Sequence, residues 1–375
     1  MKKILLIGLL LFIGFTIAFS QESIVIGKIG EEGELVYPSQ AEEGPDGNIY
    51  VYDAVDAFFK VYSPKGKFLR KFGGEGQGPG EIKRAEGVRF GFLPDGKLYF
   101  TEFINGHRWI TIMELTGKLH KTIKLQISEM FGISKSYPLE DGGFILQLSF
   151  YSIPEAKDDY FLYKSPRELV RINVEGKIVS RLKKALHVSR ISYQSDGADA
   201  PVPFTPQFMW CPYVKGKVLY SDGLRSALEV YDYEGKQLEE IATPLPAPEK
   251  VTRKDLDAWK KEWKERVNKD WYQRFGTVID KYKKSIHEKK PNLDELSLTP
   301  DGNILVAGAE EEDYLDYWLL DKNGKTLIRG QTSKAGLHIT PNFIFFGTRE
   351  EDGSFHFYAQ KRKGSEAQDL IKFLE

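Results

Sequence analysis

A short apolar strand launched from a glycine turn recurs along the chain. "PDGNIYVYD" (Pro45 to Asp53) is followed by "PDGKLYFTE" (Pro94 to Glu102), "EDGGFILQL" (Glu140 to Leu148), "VKGKVLYSD" (Val214 to Asp222), "PDGNILVAG" (Pro300 to Gly308) and "EDGSFHFYA" (Glu351 to Ala359). Apolar, aromatic and β-branched residues fill each run behind a tight turn, the composition of a strand leaving a hairpin. A second glycine turn trails each run, around Gly66, Gly117, Gly176, Gly235, Gly324 and, more weakly, Gly364. Each unit therefore reads as four strands, one on either side of each turn.

The first-turn glycines, at 47, 96, 142, 216, 302 and 353, stand 49, 46, 74, 86 and 51 residues apart. Four-stranded units at about 40 to 50 residues predict a β-propeller, whose blades stack radially around a channel. The 74-residue interval holds the loops "SIPEAKDDYFLYKSP" and "SDGADAPVPFTPQF", and the 86-residue interval holds a basic segment. The last unit supplies only three strands, counting "DLIKFLE" as one, and the fourth is expected from "ESIVIGKIGEEGEL" near the other end. The expected fold is all-β: a six-bladed β-propeller over residues 21–375, closed by an N-terminal strand, with an α-helical insertion at 249–291 between blades four and five.

The stretch "KFGGEGQGPGEI" (Lys71 to Ile82) tests this reading, because glycine-rich loops also cradle phosphates. A phosphate loop ends in Gly-Lys-Ser/Thr or runs G-x-G-x-x-G into a helix. Here Pro79 interrupts the glycines and a strand, turn and strand follow, so the stretch is expected to be the crossover from one blade to the next.

"PDGNIYVYDAVDAFFKVYSPKGKFLRKFG", and "FGGEGQGPGEI" followed by "PDGKLYFTE", resemble NHL-type repeats, and residues 23 to 375 resemble secreted bacterial six-bladed propellers of that superfamily. The resemblance is close in the first two blades and confined to the turns in the other four. It implies a binding or interaction scaffold with a ligand or partner at the channel mouth. Some relatives of that shape are metal-dependent lactonases or lyases, which gives the alternative.

The insertion breaks the strand pattern. Thr252 and Asp255 stand as a capping box, and Leu256, Trp259, Trp263, Val267, Trp271, Phe275, Ile279, Tyr282 and Ile286 form one helical stripe, with a kink expected at Gly276. The stripe either packs on its own propeller or makes Trp259, Trp263 and Trp271 a lid or partner-docking face. Residues 249–290 carry 14 Lys+Arg among 8 Asp+Glu, so the polar side is not the uniformly basic face of a membrane-surface helix.

Residues 1–20 read as a secretory signal peptide: Lys2 and Lys3, an apolar run from Ile4 to Phe19, and small residues Ala18 and Ser20 before a cut at Gln21. The mature protein is expected in the periplasm or outside the cell, with no stable membrane insertion. Cys211 is the only cysteine, which excludes an intrachain disulfide and reads as a small buried hydrophobe. The formal net charge of −1 over 375 residues shows no basic excess of the kind a nucleic-acid binder carries.

The six histidines lack metal-ligand spacing, and no catalytic motif is present, so no cofactor and no metal are expected. Asp53, Glu102 and Asp222 end the second strands of their blades, where a carboxylate is expected to accept backbone N–H groups of the next turn. Ligands of a propeller meet inner strands and their approach loops. The candidates are Gln40 and Glu42, Arg84 and Glu86, Lys135, Gln207 and Trp210, Asn292 and Asp294, and His338 and Asn342. For the hydrolase alternative, Glu86, Asp294 and Asn342 could supply oxygen ligands to a calcium-like cation.

Overall fold

A computed structural model describes residues 23–28, 30–76, 78, 80–83, 87–102, 109–129, 131–150, 160–193, 199–266, 275, 286–308, 315–332, 335–349, 355–365 and 368–370. Among the described residues twenty-five strands form six sheets, arranged as the blades of a six-bladed β-propeller. β1 (Ser23–Ile26) comes first in the chain. Blade one follows as β2 (Pro38–Glu43), β3 (Ile49–Asp53), β4 (Phe58–Tyr62) and β5 (Phe68–Gly73). Blade two is β6 (Val88–Phe92), β7 (Leu98–Glu102), β8 (Trp109–Met113) and β9 (Leu119–Lys124). Blade three has five strands: β10 (Phe131–Pro138), β11 (Phe144–Phe150), β12 (Tyr160–Ile172), β13 (Ile178–Tyr193) and β14 (Asp199–Pro201). Blade four is β15 (Met209–Pro212), β16 (Lys217–Ser221), β17 (Ala227–Asp232) and β18 (Gln237–Ala242). Blade five is β19 (Glu295–Leu298), β20 (Ile304–Ala307), β21 (Leu315–Leu320) and β22 (Thr326–Thr332). The last sheet holds β23 (Ala335–Ile339), β24 (Phe343–Arg349) and β25 (Phe355–Lys361), with β1 antiparallel to β25 in the register Ile24 to Ala359.

Position within a blade explains the hydrophobic pattern. Second strands are covered on both faces by neighbouring blades, so β3 (IYVYD) and β7 (LYFTE) are buried at every residue. Outer strands face solvent, and of "LHKTIK" in β9 only Ile123 is buried. Each of six apolar clusters joins two adjacent blades. Tyr52 and Phe59 of blade one meet Phe90 and Phe100 of blade two. At the other side of blade one, Ala41 and Val51 share a cluster with Ile26 of β1 and with Phe345 and Ala359 of the last sheet.

The glycine-rich stretch is indeed the link from β5 to β6. Gly74 N–H donates to the Ala57 carbonyl, Ile82 N–H to Gly74 and Gly76 N–H to Ile82, so the loop is stitched to itself. Gly73 and Gly74 sit at φ +103° and +107°, a region that side-chain-bearing residues rarely adopt.

Two expectations need correction. In the last blade the first hairpin is not the Asp352–Gly353 pair, which falls between β24 and β25 and outside the described residues. The hairpin is the turn at Pro341 and Asn342, where Thr340 N–H donates to the Phe343 carbonyl. Phe355–Lys361 is thus the third strand rather than the second, and residues 368–370 are helical rather than a strand. Ser365 and Gln368 cap that turn reciprocally, and Asp369 accepts the Lys363 and Gly364 N–H groups. In blade three, part of the segment read as a loop is strand: Tyr160 to Pro166 extends β12 and pairs with Leu186 to Tyr193 of β13, and Asp199–Pro201 adds a fifth strand.

Of the helical insertion, α1 (Arg253–Arg266) and helical Phe275 are described; Gly276 lies outside the described residues. Its capping box is formed: Thr252 N–H donates to Asp255 Oδ2 at 2.7 Å and Asp255 N–H to Thr252 Oγ1 at 3.3 Å. The Thr252 hydroxyl and the Lys290 ammonium hold the Asp255 carboxyl down at about 2. Val251 N–H donates to Glu288 and Lys290 N–H to Glu249, so the segment leaves and re-enters the ring at one neck.

Candidate functional site

The inner strands surround a cavity of about 800 Å³, and its wall takes residues from all six blades. Strand register sets which ones. The first hairpins of blades one to five close through the N–H groups of Gly44, Leu93, Leu139, Tyr213 and Thr299. Four residues before these stand Gln40, Arg89, Lys135, Met209 and Glu295; two before them stand Glu42, Gly91, Tyr137, Cys211 and Ser297. In the last blade Thr340 closes the hairpin, and two residues before it is His338. Side chains two apart along a strand share a face, so the positions form two tiers around the lumen. Gln40, Arg89 and Lys135 of the first tier line the cavity, as do Glu42, Gly91, Tyr137, Cys211, Ser297 and His338 of the second.

On the side of blades one and six the polar groups satisfy each other. His338 Nε2 lies 2.9 Å from Glu42 Oε2, and Gln40 Nε2 donates to Glu42 Oε1 at 2.9 Å and to the Phe90 carbonyl at 2.8 Å. Phe90 N–H returns a bond to Gln40 Oε1 at 3.1 Å, so the Gln40 amide ties β2 to β6 as a peptide group would. Burial would lower the basicity of His338, but the Glu42 carboxylate outweighs both burial and the Lys135 ammonium and raises its pKa above 6.5. The ring is 44% exposed, because the lumen admits solvent to a group otherwise walled by protein.

Blades two and three present cations. Lys135 Nζ donates to the Trp210 carbonyl at 2.7 Å and lies 5.3 Å from the centre of the Trp210 ring. Burial holds its pKa below the usual lysine value. Arg89 donates from Nη1 to the Val88 carbonyl at 2.8 Å, and burial lowers its pKa although solvent reaches it along the channel. The Cys211 thiol is 2% exposed and pushed up to about 12 by burial, which leaves it protonated and unreactive.

Of the candidates read from the sequence, Gln40, Glu42, Lys135 and His338 come together in this cavity. Trp210 stands behind its wall: it is 1% exposed, and its indole N–H donates to Gln147 Oε1 at 3.0 Å. Gln207 precedes β15, with its N–H on the Asp222 carbonyl. Asn342 sits in the last blade's first turn, where its N–H donates to Glu43 Oε2 at 2.9 Å. Asn292 is 8% exposed and bonds through its side chain to the Pro246 carbonyl at 2.6 Å, while Asp294 stands just ahead of β19. Arg84, Glu86 and Trp271 lie outside the described residues. Trp259 and Trp263 stack at 5.0 Å, with Trp263 buried and Trp259 half-buried. Among the described residues no three His, Cys, Asp or Glu side chains come together in a way that could hold a metal ion.

Arg89 was missed by the sequence reading. Counting back seven residues from Gly47 and Gly142 gives Gln40 and Lys135; the same count from Gly96 gives Arg89.

The repeated carboxylates anchor approach loops as well as turns. Asp53 accepts the N–H groups of Val36 at 2.8 Å and Tyr37 at 3.0 Å, ahead of β2, and Glu102 accepts that of Lys83 at 2.8 Å, ahead of β6. Asp222 accepts the Leu224 N–H at 2.9 Å in the turn that follows it.

Solved structures share this ring. A Bacteroides fragilis protein described as exported superposes with a TM-score of 0.50 at 10% identity, over 91% of this chain and 95% of its own. A member of the DUF4221 family from Bacteroides vulgatus gives 0.51 at 6% identity, over 91% and 96%. The likeness is one of fold alone. Virginiamycin B lyase from Staphylococcus aureus covers 90% of this chain and 98% of its own at 10% identity, but its TM-score of 0.42 carries no argument about activity. No family model and no curated protein matches the chain. Among the described residues no helix is long and apolar enough to cross a membrane.

Proposed function

We propose that the protein is an exported propeller that binds a small ligand in its central channel. The observation that carries this is the cavity of about 800 Å³, walled by all six inner strands and lined by both apolar and charged side chains. Ligand pockets of drug-sized molecules span roughly 300–1,000 Å³ and combine apolar walls with a few placed polar groups. Export is supported by the lysine-led apolar leader and by the likeness to a protein described as exported. In this reading β1 beside β25 closes the ring, which makes the channel a rigid scaffold rather than a mobile cleft.

Thermal-shift screening of the purified protein against a library of small metabolites is the direct test. Hits that stabilise the parent and are lost in Lys135→Met support channel binding; hits that survive every channel-wall variant place the ligand elsewhere and sink it. Metal analysis and a lactone panel run beside the screen. Stoichiometric calcium, with lactone turnover abolished by Glu86→Gln, would make the protein a hydrolase of the lactonase type instead.

A further inference from the structure

We propose that the ligand of the channel is a small organic oxyanion, a carboxylate or phosphate on an apolar body, held by Lys135 and Arg89. The proposal rests on the channel-binding reading and specifies its ligand.

The argument starts from an imbalance of charge within one cavity. Glu42 is satisfied by His338 and Gln40 on one side of the lumen. On the other side, Arg89 and Lys135 occupy equivalent positions of the neighbouring strands β6 and β10, seven residues before Gly96 and Gly142. Among the described residues neither has a carboxylate partner: Lys135 spends its bond on the Trp210 carbonyl and Arg89 on that of Val88. Lys135 is half-buried and Arg89 is reached by solvent only along the channel, so two like charges share one lumen without a counter-charge, whereas charges inside proteins are ordinarily paired. Burial lowering the basicity of both groups is the cost of this arrangement seen from the proton. An oxyanion between them would supply the missing charge, and a planar guanidinium beside an ammonium suits a carboxylate or phosphate.

The rest of the wall defines the body of the ligand. Half-buried Phe92 and Leu298 line the same cavity, backed by the buried rings of Phe90, Tyr99 and Phe345, so an anion carried on an apolar skeleton suits it. His338 and Glu42 stand across the lumen, where they would meet a hydroxyl or amide at the far end of the ligand.

The test is calorimetric titration of the whole protein with small aryl and alkyl carboxylates, each paired with its neutral amide and led by phenylacetate and phenylacetamide. Phenyl phosphate and inorganic phosphate are run beside them. The acids are expected to bind and their amides to bind at least about tenfold more weakly, the worth of one charge-assisted contact. Lys135→Met and Arg89→Gln should each weaken the acids by a similar factor while leaving the ligand-free melting temperature within a few degrees of the parent. Raised salt should weaken binding in the parent more than in either variant. Phenyl phosphate binding above phenylacetate assigns the anion as phosphate, and the reverse order assigns carboxylate. Inorganic phosphate binding as tightly as phenyl phosphate overturns the apolar body. Equal affinity for acid and amide, or full affinity in both variants, overturns the oxyanion and leaves channel binding standing. Failure of every probe, charged or neutral, to bind overturns both.

Discussion

His338 and Glu42 meet at 2.9 Å from opposite ends of the chain, 296 residues apart in sequence. The contact bridges the last blade to the first and makes His338 more basic in the folded protein than in the unfolded chain. A group with a raised folded pKa adds stability in full below its unfolded value, here 6.5, and loses it as pH rises through the folded value. The parent should therefore exceed His338→Gln in stability by more at pH 5.5 than at pH 8.5. Because solvent reaches the pair, the change should be about 0.5 kcal/mol. Paired denaturant melts at the two pH values measure it, and a difference that does not vary with pH would remove the coupling.

Asp53 fastens the entry to blade one. It is fully buried, bonded to Lys60 Nζ at 2.7 Å and to the Val36 and Tyr37 N–H groups. Burial opposes its charge, but the Lys60 bond and the two amides win and hold its pKa below the ordinary 3.8. Its stabilising effect is present above that value and is lost as pH falls through the folded one. Asp53→Ala, which leaves buried Lys60 with the half-buried Asp56 carboxylate and the Glu34 carbonyl, should cost about 3–5 kcal/mol. Amide exchange at Val36 and Tyr37 should speed up in the variant; unchanged protection there would show that the carboxylate does not hold the loop.

Pairing of β1 with β25 should be needed for cooperative folding. Ile26 is 1% exposed in the cluster that joins the last sheet to blade one. Ile26→Ala should cost about 2–4 kcal/mol. A truncation removing residues 21–30 should broaden or split the thermal transition, and a truncated protein that melts like the parent would show that the ring does not depend on β1.

The two stacked tryptophans of α1 should differ in their worth. Trp263, 8% exposed, should cost about 3–5 kcal/mol of local or global stability when cut to alanine. Half-buried Trp259 should cost less and so serve as the cleaner probe of partner docking. Equal losses at the two positions would mean that the stack, rather than what lies beneath it, sets the energy.

The proposed export requires a mature N-terminus near Gln21. Intact mass of the protein from its native host reads this directly, and a chain that keeps Met1 to Ser20 would refute it.

The blades were legible because their turns need particular residues. Gly47, Gly96, Gly142, Gly216 and Gly302 all adopt positive φ, so five first hairpins announce themselves in the letters of the sequence. The last blade hid its register, since Pro341 and Asn342 turn the chain with no glycine, and a glycine pair one hairpin later took their place in the reading. Channel residues were legible where the count from the turn was kept, at Gln40 and Lys135. Gln207, by contrast, precedes β15 and stands outside the strand positions that line the cavity. The outer half of the β12–β13 hairpin was obscured because Pro154 and Pro166 bracket its first strand with residues that ordinarily mark loops.

The partnership of Ser23–Ile26 with Phe355–Lys361 has a consequence for biogenesis. A chain made from its N-terminus exposes β1 before β25, so the earlier strand must wait through the synthesis of the blades between them. Contacts of such long sequence separation form slowly, because the loop they close must be ordered before they repay it. The last sheet is therefore where assembly should finish, and the waiting strand is only four residues long, too short to template pairing with another chain. That sheet stays incomplete until both β1 and β25 have been made, and pairing then joins them.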